Sequence, residues 1–258
     1  MPAQHYPDIS LLVTIYNRSA SLERQLNAWK ALDISFGEIV VSDDGSQQKH
    51  LDRVKALQER FNFRLITTPQ NRGLGNNINK GQDAVTKPYT LYVQEDFVPK
   101  PAFAEHFSDA VAILEADPAI DIARLFAYYP YPYTKPYGRG FDELIFKWYY
   151  PGYPKFHYYS DHPHLRRSNF FEKFGRYREG ENVNITEYTM TIDFLKRKGK
   201  AVLFHDVYAL FDEMNNADEP STASYRPDWR TKNNIFVRGL RKLFLQYKVA
   251  KCYKDLYF

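Results

Sequence analysis

The most informative part of the sequence is Tyr89-Thr-Leu-Tyr-Val-Gln-Glu-Asp96, in which an apolar run ends in an acidic step. Residues 89–93 are typical of a buried strand, and Glu95 and Asp96 follow almost at once. In open α/β sheets, ligands bind just outside the carboxyl ends of the strands. Two acids at that place suit a divalent cation that holds a diphosphate, since such cations prefer oxygen ligands. The stretch therefore predicts a strand that leads into a nucleotide-diphosphate site.

Three further strands are predicted on the amino-terminal side of this stretch, namely Ile9–Ile15, Glu38–Val41 and Phe63–Thr67. Each is followed by a segment with helical character. A fourth helix follows Asp96, where apolar residues recur at helical spacing: Phe103, Phe107, Val111 and Leu114. Strands that alternate with helices predict an α/β fold with a parallel sheet and right-handed crossovers.

The second half of the chain has a different pattern. Residues 120–129 are consistent with another strand, but residues 128–159 hold 14 Tyr, Phe and Trp side chains with five prolines between them. We expect neither a regular helix nor a strand in that stretch. A helix is predicted to begin near Asn184, a strand at residues 201–204, and a long basic helix at residues 231–256.

Composition narrows the class of protein. Cys252 is the only cysteine, which excludes an intrachain disulfide and fits a reducing compartment. No apolar run approaches the ~20 residues of a membrane span, and the amino terminus lacks the pattern of a signal peptide. These features predict a cytoplasmic protein. Residues 225–258 carry nine Lys and Arg against two Asp, so the basic character lies in the tail.

Polar motifs follow the first three strands: Thr14-Ile-Tyr-Asn-Arg18, Ser42-Asp-Asp-Gly-Ser46 and Asn71-Arg-Gly-Leu-Gly-Asn-Asn-Ile-Asn-Lys-Gly81. Together with Asp96, this ordered series resembles the family 2 glycosyltransferases of the GT-A fold, over roughly residues 8–99. The resemblance implies a Rossmann-like, mostly parallel central sheet flanked by helices.

We expect a single GT-A-like domain over residues 1–258. Residues 8–99 would form its nucleotide-sugar-binding half, and residues 120–210 an aromatic-rich acceptor and catalytic half. A basic helical tail would occupy residues 225–258. The glycine-rich loop does not have the dehydrogenase spacing, because the residue three past Gly75 is Ile78, and it does not match the phosphate loop of ATPases either.

The resemblance implies that the three loops and the acidic step hold a nucleotide-diphosphate sugar. Asp44 matches the position that accepts a hydrogen bond from the imide of the base, which suits uracil. Alternatively, Asp44 is a solvated residue of an Asp-Gly turn. The implied donor-site residues are Thr14, Tyr16, Asn17, Arg18, Asp43, Asp44, Asn71, Arg72, Gly73, Asn77, Glu95 and Asp96.

A divalent cation, Mn²⁺ or Mg²⁺, is also implied by the resemblance. Asp96 holds the position of the family's metal ligand, and His205, in the late region of the chain, is a candidate second ligand. Gln94 departs from the family pattern, since a neutral amide replaces a carboxylate, and this weakens the expected dependence on a cation.

An inverting transfer needs a base for the acceptor hydroxyl, and Glu187 is the first candidate. It lies where the family often has a Glu-Asp motif, although Tyr188 replaces the Asp. Asp161 is the second candidate and Glu181 the third. Asn184 followed three residues later by Glu187 also matches a capping box, in which case Glu187 would be structural.

The expected acceptor is a glycan or a lipid-linked glycan, with aromatic platforms at Trp148, Tyr149 and Tyr150. The basic amphipathic tail fits a membrane surface, which would place the protein on the inner membrane face. Equally, the tail could dock on the core with its basic face in water. A catalytically degenerate GT-A domain that binds nucleotide or glycan as a partner subunit is the rival to an enzyme. No nucleic acid is expected as a partner.

Overall fold

The structure, a computed structural model, describes residues 3–215 and 235–258, apart from the side chains of 235 and 236. The strands are β1 (Gln4–Ile15), β2 (Ile34–Asp43), β3 (Arg64–Ile66), β4 (Tyr89–Gln94), β5 (Phe97–Pro99), β6 (Ile122–Arg124), β7 (Thr134–Gly138), β8 (Phe141–Leu144), β9 (His164–Arg167), β10 (Ala201–Phe204) and β11 (Phe211–Glu213). The helices are α1 (Ser19–Ala31), α2 (Gln48–Phe61), α3 (Leu74–Ala84), α4 (Pro101–Ala116), α5 (Phe170–Phe174), α6 (Val183–Lys196) and α7 (Ile235–Tyr257).

The central sheet has the order β3-β2-β1-β4-β9-β6-β10-β8-β7 in the part of the chain that the structure describes. β1 pairs in parallel with β2 and with β4, and β2 with β3. β9 and β8 are antiparallel to their neighbours, and the other seven strands run one way. The predicted mostly parallel α/β sheet is therefore confirmed, and the carboxyl ends of β1, β2 and β4 meet at one edge.

Two apolar layers cover the sheet. On one face, Leu22, Trp29 and Phe103 from α1 and α4 pack against β1 and β4 residues such as Leu11. The other face is covered by side chains of α3, α5 and α6, among them Ile78, Phe170 and Phe194. Because the first strands are buried on both faces, their sequences are continuous apolar runs.

The expectation for residues 128–159 was wrong in part. β7 and β8 form an antiparallel pair within this stretch, and β8 joins β10 in the central sheet. Pro136 lies in β7, the edge strand of the sheet, which is where a proline within a strand is tolerated. Tyr158 and Tyr159 are almost wholly buried, so part of the aromatic stretch belongs to the core.

α7 confirms the predicted tail helix from Ile235 onward, whereas residues 216–234 lie outside the described part of the chain. Only the second half of α7 packs on the rest of the described protein. Cys252 and Leu256 are buried against Ile192 of α6 and Phe156. None of the described helices is both long and apolar enough to cross a membrane.

Candidate active site

The loops after β1 and β2 are fastened to each other. Asn17 has a positive φ of 56°, and its backbone N–H donates to Ser46 Oγ at 2.7 Å. Its side-chain Oδ1 accepts from the backbone N–H of Gln47 at 2.7 Å. Thr14, at the end of β1, shares a 2.9 Å hydrogen bond with the Tyr92 hydroxyl, and Tyr16 is half-buried. These residues line the sheet edge at which the strands end.

The carboxylates of Asp43 and Asp44 accept backbone hydrogen bonds from different loops. Asp43 is fully buried, and its Oδ2 accepts from the backbone N–H groups of Gly45 and Ser46, both at 3.1 Å. Asp44 accepts from the backbone N–H groups of Arg72 and Gly73, each at 2.9 Å, and burial raises its pKa. Asp43 therefore shapes its own turn, whereas Asp44 joins the second loop to the third. Each Asp44 oxygen keeps a second lone pair for a ligand N–H.

Lys80 is a site residue that sequence reasoning missed. Its Nζ donates to the backbone oxygen of Asp43 at 2.7 Å and to Asn77 Oδ1 at 2.6 Å, and burial lowers its pKa to about 8. Asn77 in turn donates to the Ile15 carbonyl oxygen at 3.1 Å. The sequence signal that could have identified Lys80 is a lysine on the sheet-facing side of a polar helix. Lys80 supplies a positive charge beside the two aspartates.

Asn71, Arg72 and Gly73 form the outer lip of this edge. Asn71 is exposed, and about half of the Arg72 side chain is accessible, with its guanidinium 3.4 Å from Glu179. Gly73 caps α3 at a φ of 88°, a conformation that favours glycine. The structure therefore places every predicted donor-loop residue at the same edge, with Asn77 buried beneath the others.

The acidic step after β4 is paired with Arg18. The Arg18 Nε lies 3.2 Å from Glu95 Oε1, and its Nη1 donates to Asp96 Oδ2 at 3.2 Å. Its third nitrogen, Nη2, donates to Asn215 Oδ1 at 2.9 Å. Arg18 is almost fully buried, so these contacts are shielded from water. The guanidinium thus holds the two carboxylates together at the end of β4.

Asp96 fits a cation only as a single direct ligand. Its Oδ1 is buried and has no hydrogen-bond partner among the described residues, while burial raises the pKa of its carboxyl. No cluster of three or more His, Cys, Asp or Glu side chains suited to a metal occurs in the described ranges. Such an oxygen can bind a hard cation whose other ligands come from phosphate and water.

His205 is not brought to the acidic step. It is exposed, its ring stacks on Phe204 at 5.0 Å, and its backbone N–H donates to the Gly140 carbonyl oxygen. It follows β10, which lies three strands from β4, a separation of roughly 14 Å at ordinary strand spacing. In the same late region of the chain, Glu213 lies near the acidic step. The Met214 N–H donates to the Asp96 carbonyl oxygen at 2.7 Å, and Glu213 of β11 pairs with Phe97 of β5.

Asp161 and Glu187, the first two candidates for the base, lie side by side. Burial raises the pKa of Asp161 well above its usual value, and the charge of Glu187 and a hydrogen bond to it raise it further. The raised pKa favours the protonated form of Asp161, in which its carboxyl group donates to that of Glu187. Glu181 is exposed on the segment before α6.

The capping interpretation of Glu187 was wrong. The N-cap of α6 is Asn182, whose side chain accepts from the Ile185 N–H at 3.1 Å. The cap lies two residues earlier than the sequence suggested, so Glu187 is past the first turn and is not part of a capping box. Tyr188 points elsewhere, with its hydroxyl donating to Asp255 of α7 at 2.7 Å.

Arg124 is a second residue that sequence reasoning missed. It is fully buried on β6 and donates to the His157 carbonyl oxygen at 2.9 Å. Burial lowers its pKa to about 10, although the charge of Glu187 opposes that effect. An arginine inside the apolar run of residues 120–127 was the signal. Its positive charge therefore lies near the Glu187 carboxylate.

The carboxyl pair and the acidic step both act on the same two tyrosines. Tyr128 is half-exposed, and its pKa is raised by burial, by a hydrogen bond to Glu213, and by the charges of Asp96 and Asp161. Burial raises the pKa of Tyr92 most, and the charges of Asp161 and Glu95 raise it further. Both tyrosines therefore lie within electrostatic range of each acidic group.

Trp148 and Tyr149 lie on a different surface. Both are largely exposed, and they line a groove of about 1000 Å³ with the last turns of α7. Tyr150 stacks on Tyr133 at 4.2 Å and is half-buried. Their predicted acceptor role is not supported by any contact with Glu187, and it stays a prediction.

The Asp161→Asn variant should change how stability depends on pH. A buried acid with a raised pKa stabilises the fold fully below its unfolded pKa of about 3.9, and that stability is lost as the pH rises toward the folded pKa, by up to about 1.4 kcal/mol per pH unit. Asn at this position does not titrate. The melting temperature of the variant relative to the native protein should therefore rise between pH 5 and pH 8 when measured by calorimetry. A difference that stays constant would contradict the raised pKa of Asp161.

A family model described as "Glycosyl transferase family 2" matches residues 10–191. Among solved structures, S. aureus TarS 1–349 in complex with UDP-GlcNAc has a TM-score of 0.63 at 16% identity, covering 96% of this chain and 70% of the TarS chain. Mannosyltransferase PcManGT from Pyrobaculum calidifontis, in complex with GDP-Man and Mn²⁺, has a TM-score of 0.55 at 15% identity, covering 78% of this chain and 57% of that enzyme. Likeness at these identities shows the fold.

Poly-beta-1,6-N-acetyl-D-glucosamine synthase of Staphylococcus aureus (strain COL) is 27% identical over 90 residues, which cover 35% of this chain and 22% of the synthase. The chain thus spans about a fifth of the length of the curated relatives it matches. The family match is far more extensive, since it begins within β1 and ends within α6. With the sheet and its acidic edge as described, the chain belongs to glycosyl transferase family 2.

Proposed function

We propose that the protein is an inverting glycosyltransferase that moves a sugar from a UDP-linked donor to a hydroxyl of a glycan or lipid-linked glycan. The proposal rests on two acidic groups of different kinds that lie within electrostatic range of the same tyrosines, Tyr92 and Tyr128. Glu95 and Asp96 are held by Arg18, and Asp161 pairs with Glu187. The relatives named for UDP-GlcNAc complexes and for N-acetylglucosamine polymers support a UDP donor.

The uracil of the donor would lie against Asp44, with Lys80 and the backbone of the third loop around it. A carboxylate oxygen with a free lone pair accepts the imide N–H, and a cytosine ring lacks that donor. Arg72, half-exposed at the lip and 3.4 Å from Glu179, would offer its remaining N–H donors to the diphosphate. This arrangement favours a uracil nucleotide on chemical grounds.

Asp96 Oδ1 would hold a divalent cation, and the cation when bound would neutralise charge that develops on the diphosphate. Arg18 adds a fixed positive charge next to the same carboxylate. Because the guanidinium already pairs with Oδ2, we expect a single protein ligand for the ion and a dependence on metal that is less strict than in sites with several carboxylates.

Glu187 would take the proton of the acceptor hydroxyl. The oxygen then attacks the anomeric carbon, the bond from that carbon to the diphosphate oxygen breaks, and the electron pair leaves with UDP. The raised pKa of Asp161 favours its protonated form, which could not take that proton. The hydrogen bond from Asp161 would hold Glu187 in place, and the positive charge of Arg124 lies near the same carboxylate.

A thermal-shift panel tests the donor. UDP-, GDP-, CMP- and dTDP-sugars would each be measured with Mn²⁺ and with EDTA. A ligand at 100 times its Kd stabilises the native state by about 2.7 kcal/mol, so a selective rise with UDP-sugars is expected. A rise with GDP-sugars alone would refute the uracil assignment. No rise with any nucleotide would favour a degenerate domain that binds glycans.

A further inference from the structure

α7 has an exposed face that is mostly apolar from Leu240 to Tyr257, with Lys254 as its one charged member. Its members follow one another at steps of three and four residues and therefore lie on one side of the helix. We call this set the outer stripe: Leu240, Leu243, Tyr247, Ala250, Lys254 and Tyr257. Leu240, Leu243 and Tyr247 are each more than 60% exposed. From first to last residue the stripe is about 26 Å long.

The outer stripe lies opposite the side of α7 that packs on the protein. Cys252 and Leu256 are the buried residues of the helix, and they point toward α6 and Phe156. An ordinary surface helix has one apolar side, which faces the core. α7 has a second one, and that side is not needed for docking on the protein.

The stripe continues onto the body of the protein. Its last residues, with Tyr253 and Phe258, line the groove of about 1000 Å³ whose other wall is Trp148 and Tyr149. Both of these aromatic residues are more than 60% exposed, and the Tyr253 hydroxyl donates to the Trp148 carbonyl oxygen, which fastens the groove's two walls together. An exposed apolar surface of this extent marks an interaction site.

Charge decides which occupant the surface suits. α7 carries Arg238, Arg241, Lys242, Lys248, Lys251 and Lys254, and its only acid is Asp255, which is bonded to Lys251 and Tyr188. Two such helices paired face to face would repel, and Lys254 would lie in their seam. An anionic lipid surface instead attracts the cations, and a lysine in the stripe can extend its ammonium to the headgroups.

We propose that the outer stripe of α7, together with Trp148 and Tyr149, docks on an anionic lipid bilayer. The apolar side chains would enter the interface, with tryptophan and tyrosine at headgroup level, where these residues are favoured. Trp148 and Tyr149 are thereby assigned to the membrane and not to the acceptor sugar. This surface is separate from the proposed donor site, so it does not depend on the proposed reaction.

Vesicle sedimentation with the full chain tests the proposal. Vesicles of phosphatidylcholine would be compared with vesicles that also contain phosphatidylglycerol. The native protein should bind the anionic vesicles at least about tenfold more tightly, and binding should weaken as salt is added. Trp148 emission should shift to the blue on binding, since its indole leaves water.

Leu243→Glu/Tyr247→Glu should lose at least about tenfold in affinity for the anionic vesicles. Lys55→Glu on α2 changes the net charge by the same amount away from the stripe and should bind nearly as the native protein does. The stabilisation of each variant by a UDP-sugar reports on folding and on the donor site independently. Equal binding by the double variant, or no binding by the native protein, would overturn the proposal. So would a native dimer that the double variant converts to a monomer, because a second copy would then cover the stripe.

Discussion

Glu187→Gln is expected to reduce sugar transfer by about 10³-fold while donor binding stays within about threefold of the native value. The amide has the shape of the carboxyl group but cannot take a proton from the acceptor hydroxyl. Asn182 caps α6, so the substitution removes no cap and should not weaken the helix. Transfer would be followed as UDP release, and binding by calorimetry with a UDP-sugar.

Asp161→Asn is the matched control for this variant. The raised pKa of Asp161 favours a protonated carboxyl group that donates to Glu187, and an asparagine amide can donate in the same way. We expect this variant to keep transfer within about tenfold of the native rate. If Asp161→Asn lost as much activity as Glu187→Gln, Asp161 would be the base and the two assignments would be exchanged.

Asp96→Asn is expected to lower transfer by about 10²-fold or more and to abolish the effect of Mn²⁺ on donor affinity. The buried Oδ1 is the oxygen that the ion would need, and an amide in that place binds a cation far more weakly. Calorimetric titration of the UDP-sugar with Mn²⁺ and with EDTA measures the second effect without turnover.

Glu95→Gln serves as its control, because Glu95 also pairs with Arg18 but is not the proposed ligand. This variant should lose less than about tenfold in transfer and keep its response to Mn²⁺. Both variants leave Arg18 with one remaining carboxylate, so a general loss of stability would affect them alike. Full activity of Asp96→Asn would refute the assignment of Asp96.

The first half of the fold could be predicted because its strands are buried on both faces. Residues 9–15 and 89–93 are continuous apolar runs, and each ends in polar residues where the sheet ends. β9 gave no such signal. Its residues 164–167 are His-Leu-Arg-Arg, and Arg166 is fully buried in the sheet beside aromatic rings, with its guanidinium donating to Gln82 at 2.7 Å. Tertiary partners make that strand possible, and a local pattern cannot show them.

The site was predictable to the extent that it follows strand ends. That the three polar loops and the acidic step meet at one edge could be predicted because parallel strands bring their carboxyl ends together, and their role in donor binding stays a prediction. Arg124 and Lys80 were missed because their partners are distant in sequence or are backbone oxygens. The pairing of Asp161 with Glu187 joins a loop to a helix 26 residues further on, and only packing brings them together.

Sugar transfer that depends on Glu187 is tested most directly by UDP release from UDP-N-acetylglucosamine and related UDP-sugars, measured for the native protein and for Glu187→Gln without added glycan. Water can then serve as a poor acceptor, so no natural acceptor need be known. We expect slow release by the native protein, at least about 10²-fold faster than by the variant, although both bind the donor. Donor binding with equal release by the two proteins would contradict such transfer and identify a domain that binds nucleotide sugars without transferring them.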